Sequence, residues 1–183
     1  GAVLAFSCAA GMAAVDVAAR RPALVSALAL IQTTGWEGFQ RWRAARDPKN
    51  ILSKPFLGQL AMRKMGEKRA PDWFRIATGN RAMVEPFCQS TAETLSRGAG
   101  WPLASAYQRF LAPGPSPIGR PAQPILVLWG KADKSHGPDA PANARSLGDH
   151  VRVVEIDHVG HFGDLEDTPL AYRLITQWLD AAA

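Results

Sequence analysis

The sequence predicts an α/β protein built on a parallel sheet, and three observations predict it. Three short apolar runs, GAVLAF (1–6), VSALALIQ (25–32) and ILVLWG (125–130), have the length and aliphatic content of buried strands, and HVRVVEID (150–157) reads as a fourth strand. Helix-like stretches separate these runs, and a strand that returns through a helix pairs parallel to its predecessor. The chain then closes on an amphipathic segment whose start is marked by DTP, with Pro169 suited to a first helical turn.

Taken in order, GAVLAF passes into an alanine-rich helix over Cys8 to Arg21, with basic residues in its last turn and Pro22 beyond it. VSALALIQ follows, ended by Thr33, Thr34 and Gly35, and the two strands with their helix make a βαβ unit. From Trp36 the texture is helical: EGFQRWRAAR, KPFLGQLAMRKMGEK, PDWFRIATG, MVEPFCQSTAETLSRG and WPLASAYQRFLA are separated by Pro, Gly and Asn breaks. Residues 36–120 therefore read as an inserted helical layer, and 1–35 with 121–183 as the sheet-bearing core. The proline-rich stretch 111–124 is a stiff linker into the third strand. A loop and a short helix near Ala140 to Leu147 lead to the fourth strand, and the last helix places Leu170, Leu174, Trp178 and Tyr172, Ile175, Leu179 on one apolar face.

Composition narrows the function classes. A chain of 183 residues with 47% hydrophobic and 20% charged content can bury one sizeable core. No apolar run approaches the roughly 18 residues that span a bilayer, and the apolar start lacks the basic leader of a signal peptide. Two cysteines, Cys8 and Cys88, make no disulfide framework, so a reducing, cytoplasmic setting is expected. The net charge of +5 divides into +8 over residues 36–120 and −3 over the remainder. The basic residues are interleaved with apolar ones at helical spacing, which reads as a solvated helical face; no nucleic-acid-binding motif is present.

The chemistry centres on the first junction. Ser7 stands where a strand meets a helix, the geometry of a nucleophile elbow, in which the hydroxyl is held at the carboxyl edge of the sheet and helix N–H groups face a developing oxyanion. The alternative is that Ser7 caps the helix. Its flanks, Ala5 and Ala9, are small but are not the usual glycines. On this reading the Cys8 thiol points away and its backbone N–H supplies one oxyanion donor. A serine nucleophile needs a base and an orienting acid, which belong in loops after later strands. Asp133 in WGKAD and His161 in DHVGHFGDLE occupy those loops, so that Asp133 can hold His161 in the correct tautomer.

With these three positions in place, the chain resembles the α/β-hydrolase superfamily, specifically a lidded serine hydrolase. PILVLWGKAD is similar to the family's strand with its acid, IDHVGHFGDLEDTP to its histidine loop, and LAFSCAA to its elbow. The resemblance implies Ser7 as nucleophile, His161 as base, Asp133 as orienting acid and the helical middle as a lid. It further implies strands ahead of the first, so a C-terminal fragment with an exposed apolar sheet edge is expected. No cofactor is expected, and the substrate is a small, mainly apolar molecule carrying an ester or related acyl bond, with Trp36 at its pocket. The same triad also serves carbon–carbon hydrolases, perhydrolases and acyl transferases, and a non-catalytic scaffold on this fold is the alternative from another class.

Several residues compete. His158 and His161 form H-x-x-H beside Asp157 and Asp164, but helical zinc motifs use i, i+4 spacing and no third ligand stands at a telling distance, so no metal is expected. His136 and His150 read as exposed loop residues. Asp139 and Glu37 are the alternative acids, and Cys88 reads as packing in a helix.

Overall fold

Alternation along the strands sets the layering. In the computed structural model, which describes residues 1–109 and 111–182, strands β1 (Ala2–Ser7), β2 (Val25–Ile31), β3 (Ile125–Gly130) and β4 (Val151–Ile156) form one parallel sheet in the order β1-β2-β3-β4. Helix α1 (Cys8–Arg20) crosses between β1 and β2. Ile125, Val127 and Trp129 of β3 join Met12, Val15 and Ala18 of α1 on one face. Leu126 and Leu128 point to the other, where they meet Ile156, Val159, Ala171 and Trp178. Each central strand is thus buried on both sides, which is why it reads as a continuous apolar run. The outer edge of β1 carries no further strand among the described residues, and Val3 and Phe6 are 40% and 44% exposed.

Four helices lie between β2 and β3: α2 (Trp36–Arg46), α3 (Leu57–Ala77), α4 (Val84–Ser96) and α5 (Gly100–Gln108). Phe39 of α2, Tyr107 of α5 and Leu111 are buried in the α1 face of the core and seat this layer on the sheet. The sequence predicts separate helices before and after Pro71, but α3 runs through it as one helix. A proline inside a helix removes one hydrogen bond and costs about 3 kcal/mol. Trp73 and Phe74 beyond it pack against Phe162, and Phe74 also against Phe87, which holds the second half in line. Phe110, placed by the sequence in the last of the middle helices, lies outside the described residues.

After β3 come α6 (Ala140–Asn143), continued by a 3-10 turn to Leu147, then β4, α7 (Gly163–Glu166) and α8 (Thr168–Ala182). Helix α8 packs Leu170, Ala171, Leu174, Ile175, Trp178 and Leu179 onto the sheet. Tyr172, assigned to that face by spacing, is instead 70% exposed. No helix among the described residues is long and apolar enough to cross a membrane.

Candidate functional site

The elbow falls one residue later than the sequence suggests. Ser7 is the last residue of β1, in extended conformation (φ −109°, ψ 148°), and it is Cys8 that takes a positive φ of 52° as the chain turns into α1. A non-glycine residue in that region is strained, and such strain is held by its surroundings at functional turns. The Thr33 hydroxyl donates to the Cys8 carbonyl at 3.1 Å. Gly11, three residues on, lets α1 approach β2: a Cβ there would overlap the Thr33 side chain. Gly11→Ala is accordingly expected to destabilise the protein by about 1–3 kcal/mol, read as a lower urea midpoint at unchanged slope.

Ser7 is turned elsewhere. Its hydroxyl makes no cap bond to α1 and instead faces the Asp164 carboxylate at 3.4 Å. Among the described residues no imidazole is hydrogen-bonded to it. The expected placement of Ser7 against His161 is therefore not what the structure shows: the one-residue shift exchanges the positions of the hydroxyl and the thiol. Cys8, expected to present only its backbone N–H, presents its side chain, and the N–H groups behind the elbow are those of Ala9 onward.

Asp133 and His161 are brought together as expected. His161 Nδ1 lies 2.8 Å from Asp133 Oδ2, and both side chains are buried. Gln32, at the end of β2, fixes the acid. Its Nε2 donates to Asp133 Oδ2 at 2.9 Å, and its Oε1 accepts from the Gly130 N–H at 2.8 Å. The Ser135 N–H donates to the other oxygen, Oδ1, at 2.7 Å. The loops of acid and base also hang on the end of α3, where the Lys134 N–H donates to the Ile76 carbonyl and the His161 N–H to that of Ala77. Glu166 closes this junction: Oε2 accepts from the N–H groups of Gly79, Asn80 and Gly160, and Oε1 from that of Phe162.

His136 is the residue the sequence misplaces most. Expected on an exposed loop, its side chain is only 2% exposed, stacked on His161 (ring centroids 5.4 Å apart) and on Trp42 from α2 (5.9 Å). Cys8 Sγ and one ring nitrogen of each of these two histidines lie within 4.8 Å of one another. Only a fold that brings Trp42 across to the loop after β3 buries this ring, and nothing local to residues 131–137 signals it.

The charges follow from this packing. Burial pushes the Cys8 thiol up, but the charge and hydrogen bonding of His161 and His136 outweigh it, and its pKa falls from 9.0 to about 6. Burial works against charge on His161, yet the Cys8 thiolate and the hydrogen bond that His161 donates to Asp133 raise its pKa to about 10. Burial likewise raises the Asp133 carboxyl, and the hydrogen bond and charge of His161 overcome it and hold Asp133 below the usual carboxylate range. The shifts run in the direction that favours a thiolate–imidazolium pair backed by a carboxylate.

Trp36 lies outside this cluster. Its Nε1 donates to the Gly114 carbonyl at 2.9 Å, and it lines a surface groove with Met12, Gln40 and Ile118 that none of Cys8, Asp133 and His161 borders. The indole at the site is Trp73, whose ring meets His161 edge-on at 5.1 Å, beside Phe162. His158 pairs with Asp167 at 2.9 Å on the surface and does not converge with His161. Asp139 is engaged by Arg41, and Glu37 and His150 are exposed.

A parallel sheet with a strained residue at its strand-to-helix turn, and an acid and an imidazole delivered by loops after later strands, is the α/β-hydrolase fold, and this chain has it. Solved structures agree. The chain superposes on an N-acyl homoserine lactone degrading enzyme with a TM-score of 0.66 and 16% identity, covering 96% of this chain and 66% of that one. It superposes on a thermophilic esterase at 0.65 and 19%, covering 98% and 66%. The haloalkane dehalogenase of Bradyrhizobium elkani gives 0.59 and 18%, covering 100% and 69%. At these identities the likeness is one of fold, and the chain spans about two thirds of each of these proteins. No protein-family model matches the sequence, and no curated protein is detectably similar to it.

Proposed function

We propose that this chain carries the nucleophile, base and acid of an acyl-cleaving α/β-hydrolase in which the nucleophile is Cys8. The observation that carries this is the strained φ of 52° at Cys8, with its thiol beside the imidazole that Asp133 orients. A serine enzyme acting through Ser7 lacks that support, because the Ser7 hydroxyl meets the Asp164 carboxylate and not the imidazole that Asp133 orients.

In the proposed cycle the Cys8 thiolate attacks the carbonyl carbon of an ester or related acyl bond. The Ala9 N–H, at the start of α1, donates to the oxyanion. Collapse of the tetrahedral intermediate breaks the bond to the leaving group, and His161 gives its proton to the departing oxygen. The neutral imidazole then takes a proton from water, which attacks the thioester and expels Cys8 as thiolate. Asp133 keeps the Nδ1 proton in place throughout and stabilises the imidazolium. Residues 36–120 act as a lid over the core formed by 1–35 and 121–183, and Trp73, Phe87 and Phe162 favour a small apolar acyl group.

The test is to incubate the full-length protein with a p-nitrophenyl acyl ester, quench in acid and map the adduct by mass spectrometry. An acyl group on Cys8, removed by neutral hydroxylamine as a thioester is, supports the reading. An acyl group on Ser7, or a folded protein that acquires none, overturns it.

A further inference from the structure

Acyl transfer needs one base beside the nucleophile, yet Cys8 is flanked by two imidazoles. His136 donates to no carboxylate within hydrogen-bond distance, and its buried Nε2 is unpartnered, 3.9 Å from Asp133 Oδ2. One thiolate and two imidazoles form the donor set selected by thiophilic divalent cations such as Zn²⁺. Asp133 occupies Nδ1 of His161 at 2.8 Å, which leaves Nε2 as the free donor, the arrangement by which carboxylates orient metal-binding histidines. The carboxylate itself is engaged by His161, Gln32 and Ser135 and stands behind the cluster. Donor atoms up to 4.8 Å apart must draw together by about 1 Å to reach the edge lengths of a tetrahedral zinc site.

We propose that Cys8, His136 and His161 form a binding site for a thiophilic divalent cation, and that its occupation silences the enzyme. The inference rests on the reading of Cys8 as nucleophile for its functional consequence, and on the three side chains alone for binding. A cation held there takes the sulfur electron pair that would attack the carbonyl and the nitrogen lone pair that would carry the proton. Three protein ligands leave a fourth position for water.

The experiment is a Co²⁺ titration of chelator-treated full-length protein followed by absorption. One equivalent is expected to produce a near-ultraviolet thiolate-to-cobalt charge-transfer band with tetrahedral visible bands, both removed by added Zn²⁺. Cys8→Ser should abolish the charge-transfer band, and His136→Phe should weaken cobalt affinity by on the order of tenfold or more. Bound Zn²⁺ should also protect Cys8 of the unsubstituted protein from iodoacetamide. Absence of the band in the folded, unsubstituted protein overturns the proposal without recourse to any variant, as does unchanged affinity in His136→Phe. Acyl labelling of metal-free Cys8 without a cobalt band leaves the nucleophile reading standing and removes this one; a cobalt band without acyl labelling does the reverse.

Discussion

Cys8→Ala is expected to lower kcat/KM of the full-length protein toward an acyl ester by at least about a thousandfold, while Ser7→Ala leaves it within about tenfold. The asymmetry follows from which side chain meets the base. With its pKa lowered to about 6, Cys8 is ionised at neutral pH and faces His161; the Ser7 hydroxyl faces Asp164. Removing the thiol leaves only the oxyanion donors and substrate binding. Cys8→Ser is expected to fall close to the alanine variant, because a hydroxyl is not ionised by the same two imidazoles and must be deprotonated during attack. Steady-state kinetics on the three variants at matched concentrations of folded protein make the comparison. Equal inactivation by Ser7→Ala would return the nucleophile to the hydroxyl.

The second large effect is on pH dependence. In chelator-treated protein, the alkylation rate of Cys8 by iodoacetamide is expected to be half-maximal near pH 6 and flat above it. The sign follows from the depressed pKa: the reactive thiolate persists from high pH down to about 6 and is lost only as the pH falls through that value. His161→Gln removes the principal charge that opposes burial, so the midpoint should move up by more than one pH unit. Cys88, whose thiol burial pushes up, reacts slowly across this range and is separated by peptide mapping. Because His161 stays protonated up to about pH 10, kcat/KM should hold a plateau between about pH 6 and about pH 10. A midpoint of 8 or above in the unsubstituted protein would contradict the ion pair.

Most of the architecture was legible because the central strands β2 and β3 are buried on two faces, and that condition writes itself into local sequence as a long apolar run. Asp133 and His161 were legible because each follows a strand at a distance that places it in a loop at the carboxyl edge of the sheet. The error at the elbow is one of register. The run GAVLAF does not say whether the strand ends at Phe6 or Ser7, and moving that boundary by one residue exchanges the two side chains. Gly11 shows where α1 and β2 come closest, since a Cβ there would overlap Thr33, but it does not fix the register of the turn. The roles of Gln32, Trp73 and His136 were not legible, because each depends on a partner brought in from a distant part of the chain.

The junction closed by Glu166 bears on how catalysis is switched on. The acid loop and the base loop are both fastened to the last turn of α3, and Glu166 gathers the N–H groups of Gly79 and Asn80 beside that turn together with those of Gly160 and Phe162. A displacement of α3 therefore pulls on Asp133 and His161 together, and the dyad is either assembled or dispersed as a unit. Under the proposed function, with residues 36–120 as a lid, substrate admission and catalytic competence become a single equilibrium. A substitution that loosens α3, however far from Cys8, then appears as a smaller fraction of molecules able to react, with the barrier in the remainder unchanged.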